Sequence, residues 1–111
     1  MRKFLLLFLS IMFFSFIPAN AAIYKGQRVF VKQCLKCHDA GQSFVAKYKM
    51  KYWKKMMKKK GKKLADLHLK NNKAKKSWSY FQSKKYTKKS KHLKQFLVEY
   101  AKDSGNVPAC N

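Results

Sequence analysis

The five residues Cys34-Leu35-Lys36-Cys37-His38 constrain this chain more tightly than any other feature of it. Two thiols separated by two residues meet at a single turn of backbone, and an imidazole follows at once. Three chemistries use such spacing. A thioredoxin-like redox pair needs a βαβ setting, and no stretch of this chain alternates as strands do. A structural zinc site needs a second pair of ligands, and outside the motif only Cys110 remains as a thiol. The third chemistry is the C-x-x-C-H signature of covalent haem attachment.

That third reading explains every residue of the motif. Each thiol adds to one vinyl group and forms a thioether bond. The two-residue spacer lets both sulfurs reach the macrocycle from one face. His38 then lies beneath the iron as proximal ligand, through a neutral imidazole nitrogen. The sequence therefore predicts one covalently bound haem c, with Cys34 and Cys37 binding the cofactor and His38 binding its metal.

The N-terminus supplies the compartment. Met1-Arg2-Lys3 is basic, Phe4 to Ile17 is apolar apart from Ser10 and Ser15, and Pro18 ends the run. Ala19-Asn20-Ala21 then gives a small–x–small cleavage pattern. The apolar run is shorter than the roughly 20 residues that span a bilayer core. Residues 1–21 are read as a cleaved signal peptide, and residues 22–111 as one exported, periplasmic domain. Covalent haem attachment takes place in that compartment.

The rest of the chain is short of core and rich in charge. Lys and Arg number 27 against four Asp and Glu, for a formal charge of +23 over 111 residues. Residues 22–111 keep +21 of it, since only Arg2 and Lys3 lie in the leader. A domain of this size buries only about 60–65% of its unfolded surface, which excludes a multidomain enzyme or a large-cavity fold. Apolar residues recur at helical spacing, and the fold class is all-α. Ile23, Gln27, Phe30, Val31 and Cys34 mark a first helix. Gly41 falls in the loop after the motif. Phe44, Val45, Tyr48, Tyr52, Trp53, Met56 and Met57 form an apolar stripe with lysines opposite, and Gly61 stops that helix. Leu64, Leu67 and His68 predict a short third helix ending before Asn71-Asn72. Trp78 and Phe81 mark a further turn. Ser90 is the expected N-cap of a last helix from about Lys91 to Asp103, closed by Gly105 and Pro108.

Two of these segments resemble a known family. Gly26-x-x-x-Phe30-x-x-x-Cys34-x-x-Cys37-His38 is similar to the opening helix of the small class I cytochromes c. Leu93-Lys94-Gln95-Phe96-Leu97 is similar to the core of that family's C-terminal helix. The resemblance covers residues 22–38 and the last helix, and leaves about 42–85 unmatched. It implies a cytochrome c-like helical domain around one haem, with N- and C-terminal helices packed together. In it the glycine admits a close helix crossing and the aromatic packs beside it. It implies an electron carrier and not an enzyme.

The chain departs from the family at the sixth iron position. Class I proteins supply a methionine from a loop before the last helix, and this sequence has no Met after Met57. Candidates are Met50, Met56, Met57 and His68, with lysine ligation or an open site as alternatives. Met56 and Met57 fall on the aromatic stripe, where methionine commonly fills core gaps. Met50 lies only 12 residues after His38. His92 opens the last helix among charges and reads as solvated. An open site would instead make the protein a haem enzyme or sensor, peroxidase-like or gas-binding. A third alternative is a cationic adaptor with a structural haem.

The charge points to partners. So positive a surface steers toward acidic redox proteins (an oxidase, a reductase or another cytochrome) and toward anionic membrane surfaces. Lys54, Lys55, Lys58, Lys59 and Lys60 follow the aromatic stripe and crowd the end of one helix. Aromatic residues interleave with lysine as in single-strand binders, but export argues against nucleic acid as partner. Cys110 is left over, and in an exported chain it suggests an intermolecular disulfide. The alternative is a thiol packed beside the N-terminal helix.

Overall fold

A computed structural model describes residues 19–108, and among them helices form and no strand occurs. The leader lies outside the described residues except for 19–21, which open the first helix, and Cys110 also lies outside them. Helix α1 is Ala19–Val29, α2 is Met50–Met56, α3 is Lys58–Leu69, α4 is Trp78–Phe81 and α5 is Lys84–Glu99. A wide turn over Phe30–Cys34 continues α1, and tighter turns cover Gly41–Lys47 and Asn72–Ser77. No helix among the described residues is long and apolar enough to cross a membrane.

The frame is α1 laid along α5. Gly26 makes this possible: a Cβ there would lie 2.0 Å from the His92 carbonyl oxygen and 2.7 Å from the Phe96 Cβ. No side chain larger than hydrogen fits. One turn on, Phe30 packs on Phe96 with ring centroids 5.3 Å apart, and both are buried. Tyr86, Leu93 and Leu97 complete the buried stripe of α5, Ala101 is buried just past its end, and Trp53, Met56, Met57 and Leu64 fill the space beyond it.

The last helix begins earlier than its sequence suggests. Ser83, not Ser90, is the cap: its Oγ accepts the Tyr86 amide at 3.3 Å. Tyr86 is buried and anchors the first turn. Ser90 sits inside the helix, buried, and its Oγ donates to the Thr87 carbonyl at 2.8 Å. The helix also stops at Glu99, short of Asp103, because tertiary bonds capture the chain beyond it. The Lys102 amide donates to the Tyr48 carbonyl at 2.9 Å, and the Asp103 carboxylate accepts the Met50 amide at 2.7 Å. Asp103 thus caps α2 from far along the chain, where Lys49 offers no cap of its own.

The single aromatic helix expected over 44–57 is two elements. Tyr48 and Lys49 are extended and break it. The Val45 carbonyl, which a continuous helix would use internally, accepts the buried Trp53 indole N–H at 3.0 Å. Gly61 stands where the helix was expected to stop, inside a left-handed turn of Lys59, Lys60 and Gly61 with φ of 51°, 56° and 75°. Gly61 alone takes that conformation without steric cost. The Tyr86 hydroxyl donates to its carbonyl at 2.6 Å and occupies the place of a Cβ. The third helix then runs on through Leu64 to Leu69, ending before Asn71 as expected.

Candidate cofactor site

Cys34, Cys37 and His38 are brought together at the end of the first helix by the backbone. The Leu35 amide reaches back five residues to the Phe30 carbonyl at 3.3 Å, so the helix widens at the motif. The Cys37 and His38 amides both donate to the Cys34 carbonyl, at 3.2 and 3.0 Å, and the chain turns on itself. All three side chains line one cleft of about 390 Å³. Its walls are mostly apolar, from Phe30 and Cys34 at the end of the first helix, Trp53 of α2, Leu64 and Leu67 of α3, and Leu93 and Leu97 of α5. Leu67 is exposed and adds apolar surface to that wall.

The electrostatics suit neutral donors. Both motif cysteines are free thiols. Burial, with the Cys37 sulfur beside it, pushes the Cys34 thiol up to about 12, so it stays protonated at neutral pH. The His38 imidazole is held below its usual value, first by burial, then by His68 and Lys47, against a smaller upward pull from Asp39. It is therefore neutral at pH 7, as a metal ligand must be. The Phe44 ring stacks on His38 at 4.1 Å and fixes its plane.

The sixth-position candidates separate cleanly. Met56 and Met57 are 5% and 3% exposed, inside the core, and take no part in the cleft wall. Met50 heads α2, packed beside the core, and is also absent from that wall. His92, read as solvated, is half-buried on α5 under the Gly26 crossing, with its Nδ1 enclosed and without a hydrogen-bond partner. It too lies off the cleft. His68 lines the cleft, and its ring centroid is 6.1 Å from that of His38, with the planes at 79°. Lys73 lies on the wall as well, exposed.

Sequence reasoning missed three contributors. Phe81 stacks on His68 at 4.3 Å, and Trp78 donates its indole N–H to the His68 carbonyl at 2.8 Å. Tyr80 lines the cleft with its hydroxyl enclosed and without a partner. Their only signal was the i, i+3 pairing of Trp78 and Phe81, which marks a turn but not the histidine it meets. Tyr48 and Tyr52, read as packing residues, line the cleft and stack on each other at 4.1 Å.

The donor set discriminates among cofactors. Cys34, Cys37, His38 and His68 share one cleft, yet no three His, Cys, Asp or Glu side chains among the described residues gather closely enough to hold a metal ion. A structural zinc site holds four protein ligands in mutual contact, and these four side chains are not gathered in that way. A flat group that brings its own equatorial nitrogens needs donors spread in this way, and the residues fit a covalently held haem. Comparison of the chain with protein-family models, curated proteins and solved structures gave no match.

Proposed function

We propose that this chain is an exported, periplasmic monohaem c-type cytochrome that carries single electrons between acidic redox partners. The observation that carries the reading is the convergence of Cys34, Cys37 and His38 on one mostly apolar cleft. The crossing at Gly26, with Phe30 on Phe96, supports the class I-like part of it. The haem supplies reversible one-electron chemistry at its iron when bound.

The chain's own residues do the rest. Cys34 and Cys37 would hold the haem, each thiol adding its sulfur to one vinyl carbon and its proton to the other, so that attachment would consume no oxidant. His38, stacked on Phe44, presents a neutral imidazole. Leu64, Leu93, Leu97 and Trp53 exclude water from one side of the cleft. α2 turns Trp53 inward and Lys54 and Lys55 to solvent. Lys58, Lys59 and Lys60 are also exposed, and the Lys63 ammonium sits below its usual value chiefly because of Lys55 nearby. Like charge is concentrated at the junction of α2 and α3, which favours docking on a carboxylate-rich surface.

The test is covalent attachment. The full chain is co-expressed with haem-attachment machinery, and Cys34→Ser and Cys37→Ser are made alongside. The exported protein should keep its haem through acid–acetone extraction and show a thioether-type pyridine haemochrome. Replacing one cysteine should shift that spectrum toward a vinyl-bearing haem. A wild-type chain that is exported and colourless overturns the proposal.

A further inference from the structure

We infer that His68 is the second iron ligand, opposite His38, so that the haem is held between two imidazoles. This rests on the reading of Cys34, Cys37 and His38 as its attachment site. A metal with imidazole nitrogens at about 2 Å on both sides sets the two ring centres roughly 6 Å apart. The His38 and His68 rings stand 6.1 Å apart across the cleft.

The surroundings of His68 are those of a ligand. Its Nδ1 lies 2.8 Å from the Leu64 carbonyl oxygen, which can only accept, so Nδ1 carries the proton and Nε2 keeps the lone pair. Ligating histidines are held in this way, with the second ring nitrogen donating to a carbonyl or carboxylate. Phe81 covers one face of the ring, as Phe44 covers one face of His38. Trp78 fixes the backbone of His68 through its carbonyl. Two helices therefore position a side chain that no core packing requires to be histidine.

The competing donors are worse placed. Met50, Met56 and Met57 all lie off the cleft wall. Lys73 is on the wall, but its exposed, strongly hydrated ammonium would have to lose a proton before it could bind. Two imidazoles leave no open position, which favours the carrier over the ligand-binding alternative. They also set a lower potential than a histidine–methionine pair would.

The experiment uses the full-length holoprotein. Near-infrared magnetic circular dichroism of the ferric wild type should show a bis-histidine, low-spin iron, and carbon monoxide should bind the ferrous form slowly or not at all. His68→Ala should lose the low-spin signature and bind carbon monoxide rapidly, and added imidazole should restore the low-spin state. His68→Met should raise the potential and bring in a sulfur-to-iron charge-transfer band. If the alanine variant does not accumulate, the wild-type dichroism alone decides. A haem-bearing wild type that is histidine–methionine, histidine–lysine or five-coordinate overturns this inference and leaves the proposed function standing. So does a His68→Ala iron that stays low-spin without imidazole. A colourless wild type overturns both.

Discussion

Gly26→Ala tests the packing on which the cleft depends. The new methyl would stand 2.0 Å from the His92 carbonyl oxygen, where ordinary contact begins at 3.4 Å, so α5 must retreat by about 1.4 Å. Neither neighbour can give way cheaply, since one atom is backbone and the other is the Cβ of buried Phe96. Overpacking of this kind costs about 1–3 kcal/mol. Opening the Phe30–Phe96 contact adds about 0.5–1.5 kcal/mol. The sum of about 1.5–4.5 kcal/mol corresponds to a loss of about 6–36 °C in Tm for a domain of this size, at about 4–8 °C per kcal/mol. Thermal unfolding followed by far-ultraviolet circular dichroism measures it, with Gly105→Ala as control. At Gly105 φ is +78° and nothing lies within 4 Å, so only the left-handed conformation is penalised, at about 1–2 kcal/mol. A Gly26→Ala Tm within about 4 °C of wild type would refute the argument, because α5 would then have room that the structure denies it.

Five further outcomes follow from other parts of the molecule. Lys60→Gly should stabilise the chain by up to about 1 kcal/mol in urea unfolding, because it relieves a left-handed non-glycine residue and loses part of the gain to chain entropy. Tyr86→Phe should cost about 1–3 kcal/mol in the same assay, since the buried Gly61 carbonyl loses its donor. Asp103→Ala should cost about 0.5–2 kcal/mol by removing the cap on α2. Replacing Lys54, Lys55, Lys58, Lys59 and Lys60 together by Gln should slow second-order electron transfer with an acidic partner while leaving the visible spectrum intact. The wild-type rate should fall steeply with salt, as the Debye length shrinks from about 10 Å at 0.1 M to about 3 Å at 1 M. A rate flat in salt would assign the charge to solubility alone.

The parts of this molecule legible in its sequence are those set by local chemistry. The spacing of Cys34, Cys37 and His38 specifies a turn, and the backbone bonds to the Cys34 carbonyl deliver it. Helical periodicity marked the all-helical class, and the family resemblance carried by Gly26 and Phe30 implied where α1 meets α5. The features that stayed hidden were decided by partners distant in sequence. Asp103 caps α2 from 53 residues away, so Lys49-Met50 carried no start signal. Ser90 resembles a cap more than Ser83 does only until buried Tyr86 anchors the earlier turn. His68 was one of several open candidates because its neighbours Phe81 and Trp78 lie on a different element. Only folding brings that element against the ring.

Whether the Cys34–His38 motif holds a haem is decided by intact mass and visible spectrum on one sample. The full chain is exported with haem-attachment machinery present, purified, denatured and weighed, and its native form is reduced with dithionite. The chain should start at Ala22, be heavier than its sequence by one haem and carry the sharp reduced bands of a low-spin haem c. A colourless chain with the bare polypeptide mass, exported under conditions that load a control cytochrome, would contradict the haem assignment.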